Sequence, residues 1–505
     1  MLILRIVVAL LALWLASGNV HSQTQAQDTL HIGGKRFTEA YILAEVLAQT
    51  ARASGTPVEV KAGLGNTAIV YEALRSGSID VYPEYSGTIA TEIVKDPGAG
   101  TLAALREKLQ PLGLGVDIRL GFNNGYALAM RDDVAARLGI SKLSDLARHP
   151  LLRMGLSNEF IGRADGWPGL AQRYQMPQRP QGLDHGLAYD ALAAGQVDAI
   201  DIYTTDAKIA QLKLRVLQDD AQHFPRYDAV LLYRLDVPVR FPKAWAALQA
   251  LQGRITEPAM IAMNARAELE RAPFEVIARD YLAGNSANAA SATKSFWPKL
   301  FGPDLLRLTW QHLSLVLASV ALAVLLGVPL ALAVARQPRL RALVLGATGV
   351  LQTVPSLALL AVLISFMGRI GAGPALVALT LYALLPIMRN TCTGLAEVPR
   401  GLVLAAQALG FNRWQCLWLI ELPLARPVLL AGVRTATTIA VGTATIAAFI
   451  GAGGYGERIV TGLALNDRDL LLAGALPAAA LALVFEGLFG LLGWFWLKPK
   501  TIALK

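Results

Sequence analysis

The sequence predicts an exported α/β domain followed by an all-α membrane domain of about five transmembrane helices. Its 505 residues are 54% apolar and only 16% charged, which is too apolar for a purely soluble chain. The first half alternates short strand-like runs with longer helical ones, and five apolar runs follow it. We therefore expect two structural classes within one polypeptide.

The N-terminus has the pattern of a secretory signal. Arg5 precedes a short apolar run from Ile6 to Leu15, and small and polar residues follow up to Ser22. We expect residues 1–22 to be a signal peptide that is cleaved after Ser22. An uncleaved anchor is the alternative, although the apolar run is short for a membrane span. In both cases the segment that follows is exported.

Residues 28–283 have the composition of an α/β domain. Leu30 to Gly33 predicts a strand, and Thr38 has the position of an N-cap for a helix that ends at Ala53. The next predicted elements are a strand from Val58 to Ala62, a helix from Ala68 to Ser76 and a strand from Ile79 to Tyr82. Repetition of this unit predicts helices packed on mostly parallel sheets.

A linker and a membrane domain follow. Residues 284–297 are mostly small and polar, and twelve such residues as a random coil reach about 20 Å. The membrane domain covers residues 300–505. Its apolar runs extend from Leu313 to Ala335, Leu343 to Phe366, Gly373 to Met388, Val428 to Ile450 and Leu470 to Leu497. The third run is short for a span, and the others are long enough.

Basic residues give the orientation of these five runs. If the first domain is outside, ten basic residues lie inside, against about six near the outer ends, as the positive-inside rule requires. The inside residues are Arg336, Arg339, Arg341, Arg389, Arg400, Arg413, Arg426, Lys498, Lys500 and Lys505. The net charge of +9 therefore indicates membrane insertion, and we expect no nucleic acid partner.

Two charged residues lie within the predicted spans. Intramembrane charge is by default a functional hypothesis. Arg434 is near the inner end of its run and could extend to the interface. For Glu486, a role in the transport pathway or in a bundle contact stands beside burial against a partner. Cys392 and Cys416 lie in or beside a predicted cytoplasmic loop, and we expect them to be inert; no metal site is predicted.

The segment from Leu404 to Pro423 carries the first family resemblance. It resembles the cytoplasmic coupling loop of binding-protein-dependent ABC importer permeases. The positions in register are Ala405, Ala406, Gly410, Ile420, Leu422 and Pro423, with Leu404 where the family has Glu. The resemblance implies docking on a separate cytoplasmic ATPase subunit that carries ATP and Mg²⁺. The alternative is an ordinary amphipathic loop.

The chain itself is not expected to be an enzyme. The sequence has no Gly-x-x-x-x-Gly-Lys-Ser/Thr motif, so the ATPase must be another polypeptide, and we expect no cofactor in this chain. The exported domain shows neither His-Glu-x-x-His nor Gly-x-Ser-x-Gly, which disfavours a hydrolase. A membrane receptor would need a cytoplasmic signalling domain, and only Lys498 to Lys505 follow the last predicted span.

Three further segments resemble the permeases of importers for glycine betaine, choline and carnitine. They extend from Gln352 to Leu360, Leu385 to Leu395 and Ile450 to Gly456. Pro355 and Pro386 would break or kink helices, which bundles tolerate where neighbours satisfy the freed carbonyls. The resemblance implies a homodimer of the permease, surrounded by lipid, in the bacterial cytoplasmic (inner) membrane.

The exported domain resembles the solute-binding proteins of the same importers over nearly all of residues 28–283. The matching segments extend from Ile32 to Glu39, Ala73 to Thr88 and Asp201 to Asp206. The resemblance implies the two-lobed periplasmic-binding-protein fold, a hinged trap whose α/β lobes are joined by crossing strands on the periplasmic or extracellular side. We place the crossings near Gly121 to Asn124 and Pro225 to Val230.

The resemblance also implies a site for a small quaternary-ammonium solute. Such a cation has no hydrogen to donate, so aromatic faces hold it through cation–π attraction. The family's cage positions carry over to Tyr85, Tyr126, Tyr203 and Tyr227. A carboxylate on the solute needs cations and donors, and those positions carry over to Lys35, Thr88 and Arg163, with Asn124 a further candidate for lining the cage.

The predicted solute is a glycine betaine-like osmolyte. Choline, carnitine and ergothioneine are alternatives within the same mechanism. Choline lacks a carboxylate and would leave Lys35 and Arg163 without that partner, which favours a zwitterion.

Overall fold

The computed structural model describes residues 28–284, 296–465 and 467–497. The predicted signal segment, most of the predicted linker and the predicted inside residues Lys498, Lys500 and Lys505 lie outside these ranges. Within them the chain forms two compact units. One comprises the residues up to 300 together with 458–472, and the other comprises 301–457 and the residues from 473 onward.

Ten strands of the first unit form two five-stranded sheets in the described part of the chain. They are β1 (Leu30–Gly33), β2 (Val58–Lys61), β3 (Val81–Tyr85), β4 (Leu114–Asp117), β5 (Tyr126–Arg131), β6 (Met154–Ser157), β7 (Gln181–Leu183), β8 (Ala199–Tyr203), β9 (Leu214–Val216) and β10 (Ala229–Arg234). The strand orders are β2-β1-β3-β10-β4 and β7-β6-β8-β5-β9, so each sheet is the centre of one lobe.

Four of the five strands in each sheet run in the same direction, as the prediction of mostly parallel sheets requires, and one strand in each runs opposite. β1, β2 and β3 pair in parallel, but β10 is antiparallel to both of its neighbours. The second lobe repeats this arrangement, with β5 antiparallel to β8 and β9. The reason is that β5 and β10 enter their sheets directly from the crossing segments, without the helical crossover that a parallel neighbour requires.

The two crossings lie where the sequence places them. One connects β4 to β5 and the other connects β9 to β10. They run side by side: the amide of Asn124 donates to the carbonyl of Tyr227 at 3.0 Å, and the amide of Ala229 donates to the carbonyl of Phe122 at 3.0 Å. This paired ribbon is the hinge between the lobes.

Helices cover both sheets. Their bounds are Thr38–Ala53, Thr67–Arg75, Ser86–Thr88, Leu102–Leu109, Asp132–Leu138, Asn158–Gly162, Trp167–Tyr174, His185–Ala193, Lys208–Gln211, Val237–Arg240, Pro242–Gln249, Glu257–Glu268, Phe274–Leu282 and Phe296–Leu300. The first helix begins at Thr38 and its N-cap is Phe37, so Thr38 is not the predicted cap. Its buried Ile42, Leu43 and Leu47 contribute about 1.5–3 kcal/mol each to folding.

The second unit is all-helical. Its helices are Leu305–Val334, Pro338–Thr353, Ser356–Met367, Ala372–Ala396, Arg400–Ala408, Arg413–Cys416, Leu422–Ala444 and Arg468–Leu497, and Gly456–Ala464 lies at the boundary between the units. Among the described residues, four helices are long and apolar enough to cross a membrane, or five with one bent pair. The third predicted run, short in the sequence, is part of the 25-residue helix Ala372–Ala396.

The two prolines singled out by the sequence behave differently. At Pro355 the second predicted span is broken into two helices at an angle of 100°. Pro386 lies inside a continuous helix, where it cannot donate to the carbonyl of Tyr382. The side-chain amide of Gln352 lies 3.5 Å from that carbonyl, and the Tyr382 hydroxyl donates to the carbonyl of Val354 at 2.6 Å. The broken helix pair thus supplies the bond that Pro386 removes.

Candidate functional site

The structure brings the four predicted tyrosines together. Tyr126 at the start of β5 lies directly opposite Tyr203 at the end of β8, with ring centroids 5.1 Å apart. The Tyr227 ring meets Tyr126 edge-on at 5.8 Å. Tyr85, at the end of β3 in the other lobe, joins them through Phe37, whose ring lies 6.2 Å from Tyr85 and 5.3 Å from Tyr203. Phe37 is an aromatic member that the sequence analysis missed.

The two predicted cations lie over the rings of this cage. The ammonium of Lys35 is 5.1 Å from the ring centre of Tyr85, and the guanidinium of Arg163 is 5.1 Å from that of Tyr126. Both distances suit cation–π attraction. Lys35 and Arg163 are nearly fully buried, so neither is the solvated surface charge that such residues usually are.

Each cation already has a carboxylate partner. The Lys35 ammonium is 2.6 Å from Glu84, and Arg163 makes two hydrogen bonds to Asp165 at 2.8 and 2.6 Å. Burial alone would raise the pKa of Asp165, but the hydrogen bond and charge of Arg163 outweigh it and lower that pKa. The argument that choline would leave Lys35 and Arg163 unpaired was therefore wrong, because the protein pairs them itself.

The predicted polar residues Thr88 and Asn124 also lie at the cage. Thr88 follows Tyr85 on a short helix, and its hydroxyl is 3.4 Å from Arg163. Asn124, in the first crossing, directs its amide nitrogen to Glu39 at 3.0 Å. Tyr227 donates its hydroxyl to Asp165 at 2.7 Å. These hydrogen bonds fix the side chains on both sides of the hinge.

Glu39 joins the two lobes and was missed as a site residue. Its buried carboxylate accepts hydrogen bonds from Tyr85, Asn124, Thr205 and Asn264. Thr205 follows β8 in the second lobe, whereas Glu39 belongs to the first helix, packed in the first lobe. Burial raises the pKa of Glu39, against the lowering effect of its four donors. The sequence did contain a signal for Glu39 as a site residue, because Glu39 lies in a segment that matches the family.

An open cleft leads to the cage. Its volume is about 920 Å³ including its mouth, and Lys35, Phe37, Glu39, His185 and Tyr203 are among its lining residues. Of the predicted ligand residues only Lys35 and Tyr203 line this cleft; Tyr85, Tyr126, Tyr227, Thr88, Asn124 and Arg163 lie buried behind it.

His185 stacks on the outer side of the cage. Its ring lies 4.5 Å from that of Tyr203 and its Nε2 is 3.1 Å from Asp206. Burial by itself would lower the pKa of His185, but the hydrogen bonds and charges of Asp201 and Asp206 outweigh it and raise that pKa to about 10. At neutral pH the imidazole is therefore charged.

The predicted coupling loop is a helical hairpin in the second unit. Helix Arg400–Ala408 ends in a turn at Gly410, whose φ of +91° favours glycine, and Asn412 and Gln415 then cap helix Arg413–Cys416 with two mutual hydrogen bonds. Of the predicted positions, Ala406 is buried, Ala405 and Gly410 are exposed, and Ile420, Leu422 and Pro423 are half-buried at the start of the next helix.

Large apolar side chains project from this loop. Leu404 is 64% exposed, Leu409 79% and Trp414 70%. Clustered exposed apolar residues of this size mark an interaction surface. Leu404, where the family has Glu, is thus one of the exposed apolar side chains of this loop.

Comparison with known proteins agrees with both halves of the structure. Residues 28–284 match the family described as the substrate binding domain of ABC-type glycine betaine transport systems. Residues 323–493 match the family described as the inner membrane component of binding-protein-dependent transport systems.

Individual relatives match the membrane half. The carnitine transport permease protein OpuCB of Listeria monocytogenes is 43% identical over 201 residues, which is 40% of this chain and 91% of the relative. The osmoprotectant import permease protein OsmY of Salmonella typhimurium is 45% identical over 204 residues, 39% of this chain and 84% of the relative.

A solved structure described as a glycine betaine/carnitine/choline ABC transporter is 26% identical, with a TM-score of 0.44, and covers 50% of this chain and 98% of that one.

Proposed function

Because the chain belongs to the substrate-binding family of ABC-type glycine betaine transport systems and carries their inner membrane component in the same polypeptide, we propose that it binds and imports a trimethylammonium solute. It is a transporter for osmoprotectants of the glycine betaine, choline and carnitine type, not an enzyme. Its membrane half places it in the inner membrane.

The cage carries the proposal for the ligand. Four tyrosines and Phe37 cluster at the hinge, with Phe37 and Tyr203 lining the cleft, and aromatic faces are what a cation without hydrogen-bond donors requires. Because the residues come from both lobes, a bound solute would favour the closed form. The paired cations Lys35 and Arg163 permit both zwitterionic and purely cationic solutes, and we propose glycine betaine as the principal one.

Calorimetry of the detergent-solubilised chain tests this proposal. Glycine betaine, choline, carnitine, ergothioneine and proline are titrated into the wild type, Tyr203→Phe and Tyr203→Ala. We expect a trimethylammonium compound to bind, Tyr203→Phe to retain most of the affinity and Tyr203→Ala to lose about 1–2 kcal/mol or more, since only the alanine variant lacks the ring. Tight binding of proline alone, or equal binding by all three proteins, would contradict the cage.

We also propose the remaining parts of the machine. A separate cytoplasmic ATPase would dock on the apolar face of Leu404, Leu409 and Trp414, and two copies of the permease would assemble, with the binding domain on the outer side of the membrane. This proposal is supported by the exposure of those three side chains and by the family of the membrane half.

Glycine substitutions in the loop test the coupling. Gly410→Ala strains a left-handed backbone position by about 1–2 kcal/mol. Gly401→Ala in the same hairpin has open space and no positive φ, and is the matched control. In a reconstituted complex with the ATPase, we expect ligand-stimulated ATP hydrolysis to fall in Gly410→Ala and to remain in Gly401→Ala. Equal stimulation in both variants would argue against the loop's role.

A further inference from the structure

A membrane-spanning helix of the second unit has two unlike faces. On helix Leu422–Ala444, Gly432, Ala436 and Ala440 are buried, and a Cβ on Gly432 would lie 3.0 Å from the carbonyl oxygen of Pro386 on the neighbouring helix. Small residues of this kind allow close packing in membranes. The opposite face exposes a polar stripe with helical spacing, consisting of Arg434, Thr435, Thr438 and Gly442.

An ion pair lies within this stripe. Arg434 bonds to Glu486 of helix Arg468–Leu497. Arg434 is twelve residues from Leu422, or about 18 Å along the axis, and Glu486 is eleven residues from Leu497, or about 16 Å. Both charges therefore lie inside long apolar helices, away from the measured helix ends. Arg434 pairs with Glu486 on a second helix, and its extension to the inner interface stays a prediction.

This face does not suit lipid. The side chains of Arg434 and Glu486 remain 44% and 43% exposed, and a charged side chain at mid-membrane costs about 2.5–3.5 kcal/mol on insertion scales. The hydroxyls of Thr435 and Thr438 donate to carbonyls of their own helix, and lipid tolerates hydroxyls bonded in this way. The ion pair is therefore the feature that makes this face unsuited to lipid. On the helix of Glu486, Val484 lies two residues away and therefore on the opposite face; it is 55% exposed and has the chemistry of a lipid contact.

We propose that Arg434 and Glu486 form a transit site for a zwitterionic trimethylammonium solute, on the wall of a water-filled pathway that continues along Thr435, Thr438 and Gly442. The site rests on the proposed function. Glu486 faces the ammonium and Arg434 the carboxylate, so the solute exchanges one ion pair for two. No charge is left unpaired in the membrane, which is the condition that makes a buried pair tolerable. Choline would leave Arg434 without a partner at this step.

Thiol labelling tests whether the stripe faces water. Thr438→Cys, Val484→Cys and the buried Thr437→Cys are made in the full chain, and the parent chain gives the baseline for its own buried cysteines, Cys392 and Cys416. The probe is trimethylammonium-ethyl methanethiosulfonate, whose head group matches the solute. We expect Thr438→Cys to react at least ten times faster than the other two, and glycine betaine to slow it. Labelling of Val484→Cys at the same rate, or no slowing by glycine betaine, would overturn the proposal.

Uptake measurements separate the transit site from the exported site. In vesicles containing the transporter and its ATPase, we expect Glu486→Gln and Arg434→Gln to lower glycine betaine uptake at least tenfold, with binding by the exported domain within twofold of wild type. Glu486→Asp retains the charge and should recover part of the uptake. Normal uptake by Glu486→Gln would overturn the transit site alone, whereas a wild type that binds no trimethylammonium compound would overturn the proposed function. If a charge variant does not fold, the labelling of Thr438→Cys alone tests the transit site.

Discussion

Neutralising Glu84 is expected to change which solutes the candidate site in the first unit prefers. Glu84 and Lys35 are both buried and lie 2.6 Å apart. Glu84→Gln removes one negative charge beside the cage and leaves the Lys35 ammonium available to a solute carboxylate. A cationic solute loses attraction and a zwitterionic solute gains a partner, so both effects favour glycine betaine over choline.

The magnitude follows from the Coulomb energy. Two unit charges 4 Å apart interact by about 4 kcal/mol at an effective dielectric constant of 20. With neighbouring carboxylates present we expect about half of this, or about 2 kcal/mol, which is roughly a thirtyfold change in the ratio of the choline Kd to the glycine betaine Kd. Calorimetry on the solubilised chain measures this ratio.

A matched control is available on the surface of the same unit. Glu107 is exposed on helix Leu102–Leu109, so Glu107→Gln removes the same charge away from buried partners and should leave the ratio within twofold of wild type. If Glu84→Gln leaves the ratio unchanged, or moves it toward choline, Lys35 does not face the solute and the assignment of the site is refuted.

Three further predictions concern other contacts. Glu39→Gln replaces one of the two carboxyl oxygens that accept hydrogen bonds from both lobes, so we expect about 2 kcal/mol lower stability in thermal denaturation and weaker solute binding in calorimetry; a melting temperature equal to that of wild type would contradict the bridge. The pKa of His185 is raised to about 10 from about 6.5 in an unfolded chain, so the stability that charged His185 adds is complete below pH 6.5 and is lost as pH rises toward 10. Between these pH values the melting temperature should fall less in His185→Gln than in wild type, and parallel curves for the two proteins would contradict this contribution of His185. Gln352→Leu should destabilise the membrane unit by about 0.6–1.7 kcal/mol, and by less in a Pro386→Ala background, where the alanine amide can donate to the carbonyl of Tyr382. Equal losses of stability in both backgrounds would show that the Gln352 side chain does not replace the hydrogen bond that Pro386 removes.

The alternation of strands and helices could be predicted because its signals are local. The two lobes and the crossings at Asn124 and Tyr227 were instead implied by the resemblance of matched segments to a known family. The antiparallel direction of β5 and β10 could not be predicted from local sequence, because these two strands take their orientation from the crossings that lead into them. The broken span at Pro355 was predictable from proline chemistry, whereas the continuity at Pro386 depends on a neighbouring amide distant in sequence.

The motifs of the sequence were enough to identify the kind of machine by its resemblance to a known family, and that resemblance named the aromatic and basic residues of the candidate site in the first unit. Only the tertiary structure decided how charge is distributed there and in the membrane. It paired Lys35 with Glu84, Arg163 with Asp165 and Arg434 with Glu486. The energy of a buried charge depends on its nearest opposite charge, and two of these three partners are separated from it by about fifty residues of chain that only folding brings together.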